Sequence, residues 1–228
     1  MYIWKCWRDT RSFFIAFMII AAAALPVIGL VCTGTGVMRD FGRDAAVSTF
    51  GLLMTVIALG LGTIGAIHEF ADKAVHFLFT KPRSRAYFVW AGWVVGCVEV
   101  LAIAFVNVLA GGVTLALYSS ARFWPALLAA LKGFGIPGIL IYSLFVFGQT
   151  YSLTAVLRSG LKGLGASLAA WTGLSAFAAA MWARWRVHVP IPAERIGSLP
   201  VAISYGVWIV VALLFVFGAQ RIVERAEI

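Results

Sequence analysis

Histidine, cysteine and charge are all scarce in this chain, and each shortage removes a class of function. Cys6, Cys32 and Cys97 lie far apart, with no Cys-x-x-Cys pair and no ligand spacing, so neither a zinc site nor a disulfide framework is expected and all three read as free thiols. His68, His76 and His188 are the only histidines. The first two fall outside the expected spans and the third in an outer loop, whereas a haem-carrying electron-transfer subunit needs axial histidines within its spans. A membrane-embedded protease or lipid hydrolase needs a convergent nucleophile, base or metal cluster, and nothing in the sequence assembles one. There is no G-x-x-x-x-G-K-[ST] run either. The glycines around Lys162 continue as Gly163-Leu164, which supplies no hydroxyl for Mg²⁺, so no ATP, metal or other cofactor is expected on this chain.

What remains is oil. Charged residues make up 12% of 228 and hydrophobic ones 62%, with mean hydropathy +0.97, against roughly 25% charged in soluble domains. The chain reads as an all-α integral membrane protein, a single domain over residues 1–228, with apolar runs for six transmembrane helices of about 20 residues each. The net charge of +9 is scattered at span ends and not gathered on a polar face, so it points to topology and away from nucleic acid.

The spans are expected at Ser12–Val31, Ala46–Ile67, from Ala86, across Ser143–Thr154, at Gly163–Met181 and at Val201–Gly218. Before the first, residues 1–11 interleave Ile3, Trp4 and Trp7 with Lys5, Arg8 and Arg11. This is either an interfacial helix at headgroup level or a basic flank that orients the first span. Lys5, Arg8 and Arg11 with the following apolar run imitate a signal peptide, but the run is too long for an ordinary signal core and is expected to stay as a span. Gly111 and Gly112 are expected to end or bend the third span, and Pro137 to kink the start of the fourth. The second span carries Ala58, Gly62 and Ala66 at intervals of four, and the fifth carries Gly165, Ala169 and Gly173; small residues so spaced let helix backbones approach closely in lipid. Residues 183–200, with Pro190, Pro192 and Pro200, form an outer loop or re-entrant segment. A charged tail follows from Arg221.

Three sets of polar residues stand out. Glu99 is the only charge placed in mid-span, on a stripe with Gly92, Gly96, Ile103 and Asn107, where it either fastens the third span to a neighbour or serves a substrate or proton. Ser143, Thr150 and Thr154 share a face that Arg158 continues; it either lines a pathway or bonds to its own helix carbonyls. The third set is the stretch EFADKAVHFLFTKPRSR, residues 69–85. Glu69, Asp72, Lys73, His76 and Thr80 fall on one helical stripe with Phe70, Ala74 and Phe77 to Phe79 around the remainder, and Pro82 ends the pattern. This is an amphipathic helix over 69–80, between the second and third spans.

With Glu69, an apolar run at Phe77 to Phe79, and then Thr80, Lys81, Pro82, Ser84 and Arg85, this loop resembles the first cytoplasmic loop of the type-two permeases of ATP-binding cassette (ABC) transporters. Lys73 and Ala74 stand where that family commonly has Gly-Thr. The resemblance implies a permease with an N-terminal interfacial helix and a cytoplasmic coupling helix. It implies partner ABC ATPase subunits that carry ATP and Mg²⁺ and touch Glu69, Asp72, Lys73, His76, Thr80, Lys81, Pro82 and Arg85, with Arg158 as a second point of contact. It also implies a second permease copy or a related permease. Few polar groups lie within the spans, which favours export of an amphiphilic or apolar substrate. Eleven Lys and Arg fall on the side of the termini against seven on the other, so both termini are expected in the cytoplasm of a cell whose inner membrane holds the chain. A structural or assembly factor without transport is the alternative.

Overall fold

A computed structural model describes residues 2–34, 42–70, 85–119, 136–188 and 198–225. Among them the chain is all-helical: α1 (Tyr2–Gly34), α2 (Gly42–Phe70), α3 (Arg85–Ser119), α4 (Ile136–Leu157), α5 (Gly160–His188) and α6 (Ser198–Arg225). Four of these carry stretches long and apolar enough to cross a membrane, at Thr49–His68, Ala86–Thr114, Gly138–Leu157 and Tyr205–Arg225. In such a solvent each backbone N–H and C=O must be paired inside its own helix, which is why the apolar runs adopt no other structure.

α4 is the hub. It packs against α2, α3, α5 and α6, and α3 in turn holds α1, α2 and α6. Burial follows this order: 61% of the apolar stretch of α4 is buried, against 22% of that of α6. The core runs along the α2–α4 seam, where Phe50, Met54, Ile57 and Leu61 meet Phe145, Phe147 and Tyr151. Close approach at this seam depends on Gly62. A Cβ there would stand 2.9 Å from the Phe147 carbonyl oxygen and 2.9 Å from Thr150 Cβ, and the flanking Ala58 and Ala66 are fully buried. The small-residue line of α2 is thus a packing surface within one chain.

Several expectations are corrected. α1 is one helix, with no break between residues 1–11 and the first span, because Cys6, Thr10 and Ala21 are buried on the same periodic stripe that runs past Arg11. Pro26 lies inside it without ending it, as neighbouring helices permit in membranes. Gly111 and Gly112 neither end nor visibly interrupt α3; both are buried and the helix continues to Ser119. Pro137 is the second residue of α4, in the first turn, where the missing N–H would be unpaired anyway, so it begins the helix and does not kink one already under way. Of the expected outer loop 183–200, residues 183–188 belong to α5 and 198–200 to α6, with Pro200 again in a first turn, and residues 189–197 lie outside the described residues. The charged tail is helical as far as Arg225. On α5, finally, Gly165 and Gly173 have nothing within 4 Å of where a Cβ would stand, and Ala169 is exposed, so that stripe faces away from the bundle. The close contacts are made instead by Gly160, against Ile67 and Thr63, and by Gly163, against Thr154.

Candidate functional site

Polar side chains are turned inward, and they gather in two places. The first is a seam between α1, α3 and α4. Glu99, 2% exposed, accepts a hydrogen bond from the Thr10 hydroxyl of α1, which also lies within reach of the Cys6 carbonyl at 3.1 Å. Both residues line a cavity of about 10 Å³, with Cys6, Gly65, Gly96 and Tyr151, which is room for a single water. The Phe147 ring rests on Gly96 and stacks on Tyr151 at 5.9 Å, closing the cavity from the α4 side. Glu99 sits 14 residues into α3, so it is central by sequence. On α1 its partner Thr10 follows Asp9, which is paired with Lys5 at 3.8 Å and Arg8 at 3.6 Å. Glu99 stands in the middle of the apolar stretch Ala86–Thr114, and its bond to Thr10 fastens α3 to α1.

Two turns along the same stripe, Asn107 is fully buried with neither amide atom hydrogen-bonded. On α4, Ser143 donates to the Ile139 carbonyl and Thr150 to the Val146 carbonyl, each at 2.7 Å, so these hydroxyls are bonded to their own helix. Thr154 is buried without a partner, covered by Gly163. The three are buried in the bundle and line no open pathway in this conformation.

The second gathering is the end of the bundle that holds the 70–85 connection. Phe70, in the last turn of α2, meets Tyr151 edge-on at 6.3 Å, and His68 lies 6.4 Å from Phe13 of α1. Gly160 presses on Ile67, so the α4–α5 turn abuts the end of α2. That turn is tight. Arg158 takes φ 51°, left-handed for a non-glycine residue, Gly163 N–H donates to the Ser159 carbonyl at 2.8 Å, and Lys162 is already in α5. Across the bundle, Trp90 Nε1 donates to Gln220 at 2.8 Å and Gln220 to Glu224 at 3.0 Å, fixing the end of α6 to the start of α3. The beginning of α1 and the end of α6 therefore lie at the same end of the bundle.

Of the residues singled out in the motif stretch, Glu69 belongs to the last turn of α2 and Arg85 opens α3. A separate helix does not begin at Glu69, since α2 runs on through Phe70. Asp72, Lys73, His76, Thr80, Lys81 and Pro82 lie outside the described residues. Sequence reasoning missed Thr10, Gln149, whose amide donates to the Ser167 carbonyl at 2.9 Å, and the Trp90–Gln220–Glu224 chain. Thr10 had a legible signal, since Cys6, Thr10, Phe14, Phe17 and Ala21 recur at helical spacing.

Four apolar helices of bilayer length, with polar side chains buried among them, make this an all-helical membrane protein. No protein-family model, curated protein or solved structure matches the chain.

Proposed function

We propose that the chain is the transmembrane permease subunit of an ABC transporter, exporting an amphiphilic or apolar substrate with ATP hydrolysed on separate ATPase subunits. The observation that carries this reading is the motif of residues 69–85, Glu69 through Thr80-Lys81-Pro82 to Ser84-Arg85, lying between two apolar helices of bilayer length, α2 and α3. Six spans with α1 and α5 as the first and fifth, a second permease copy, cytoplasmic termini and placement in the inner membrane belong to the same reading. So does a catalytic role confined to the partner.

On this reading ATPase closure displaces the connection after α2, and the displacement has two routes into the bundle. Phe70 bears on Tyr151 of α4, and Ile67 bears on Gly160 at the α4–α5 turn beside Arg158. Because packed helices shift between discrete arrangements and do not deform continuously, motion of α2 against the hub is the step that exchanges inward-open and outward-open states. The test is charge reversal at Glu69 in the chain copurified with its ATPase. We expect Glu69→Lys to stay in the membrane and lose more than about tenfold of substrate-stimulated hydrolysis, since inverting one member of a docked charge pair is repulsive. Unimpaired coupling would overturn the assignment of Glu69, and failure of any ATPase to copurify would overturn the reading as a whole.

A further inference from the structure

Between α4 and α6 lies an open groove of about 410 Å³ that the buried polar seam does not explain. Its walls are Leu153 and Val156 of α4 and Val211, Phe215, Gly218 and Ile222 of α6. From Val211 to Ile222 the groove covers 11 helical rises, about 16 Å, or roughly half of a 30 Å hydrocarbon core and hence one leaflet. Its volume admits on the order of a dozen water-sized groups in a row. Ser152 contributes to the wall, and its hydroxyl is buried and lacks a hydrogen-bond partner.

One mouth of this groove is basic. Val211, Phe215, Gly218 and Ile222 form a helical stripe that Arg225 continues one turn further on, beside exposed Arg221. Glu224, the acid of this region, is engaged by Gln220. An apolar slot one leaflet long, ending at the exposed Arg221 and Arg225, matches a single ligand chemistry: an acyl chain bearing an anionic phosphate headgroup. Arginine pairs with phosphate through two parallel hydrogen bonds, and basic pockets between transmembrane helices bind such headgroups.

We propose that the α4–α6 groove is a binding site for one anionic phospholipid, with an acyl chain along Val211, Phe215 and Gly218 and the phosphate at Arg221 and Arg225. The Ser152 hydroxyl can turn to donate to an ester carbonyl beneath the phosphate. The site needs only the bilayer and not the transporter reading, so it stands even where no ATPase copurifies.

The test is native mass spectrometry of the full chain after exchange into phosphatidylglycerol or phosphatidylcholine. One phosphatidylglycerol should be retained per chain, at least fivefold more than phosphatidylcholine. Gly218→Leu, at a position where a Cβ meets nothing within 4 Å, should fill the slot and lose both lipids with the melting temperature kept. Arg221→Gln with Arg225→Gln should lower phosphatidylglycerol to the level of phosphatidylcholine and leave the latter unchanged. Equal retention of the two lipids, or undiminished phosphatidylglycerol in the arginine double variant, would overturn the proposal. So would release of the wild-type chain as a lipid-free pair, which would make the groove an interface between copies.

Discussion

Thr10 and Glu99 depend on each other unequally. If Glu99 becomes Leu, the Thr10 hydroxyl still has the Cys6 carbonyl at 3.1 Å and the Trp7 carbonyl at 3.4 Å as acceptors. If Thr10 becomes Val, the carboxyl, 2% exposed, loses that hydroxyl donor. A buried polar group left unsatisfied costs about 1–3 kcal/mol, more when charged, whereas removing a bond whose other member finds a new partner costs about 1. Thr10→Val should therefore lower the unfolding midpoint in detergent more than Glu99→Leu does, and Glu99→Gln should fall between wild type and Glu99→Leu. A double-mutant cycle checks that the two changes are not additive. The carboxyl was legible in the sequence, being the lone charge on a stripe of small residues. Its partner was not, because it lies 89 residues away, in a stretch whose tryptophans and basic residues read equally well as a headgroup-level segment.

At the scale of elements, the two glycine stripes offer a direct contrast. Gly62 has main-chain atoms 2.9 and 3.1 Å from its would-be Cβ, from Phe147 and Tyr151, which cannot give way as a flexible side chain can. Gly165 and Gly173 have open space. Gly62→Ala should thus destabilise the α2–α4 seam by about 1–3 kcal/mol, while Gly165→Ala and Gly173→Ala should be neutral or stabilising by up to about 1 kcal/mol, since a helix interior favours alanine. Thermal unfolding in detergent distinguishes them. The all-helical class and the cores of the four long apolar helices among the described residues could be read from apolar run length alone. The ends could not, and for a physical reason. Gly111-Gly112, Pro137 and Pro200 are breakers in water, but inside a bundle or in a first turn their missing side chains or N–H groups cost little, so the helices extend past the points where composition predicts a stop. Period also says that a stripe of small residues packs, but not against what, which is why the stripes of α2 and α5 read alike and face opposite ways.

For the whole molecule, the contacts of Phe13 with His68 and of Trp90 with Gln220 bring the first turns of α1 and the last turns of α6 to one end of the bundle. Reporter fusions at Met1 and at Ile228 should therefore report the same side of the membrane, and on the proposed reading that side is the cytoplasm. Fusions reporting opposite sides would be incompatible with this packing. The unbroken α1 has a further effect. From Thr10, where it is pinned to α3, eight helical rises lead back to Tyr2 and 24 lead on to Gly34, arms of about 12 and 36 Å. A rod tilting about that pin amplifies displacement: a push of 1 Å near the basic N-terminus emerges as about 3 Å at the far end of α1.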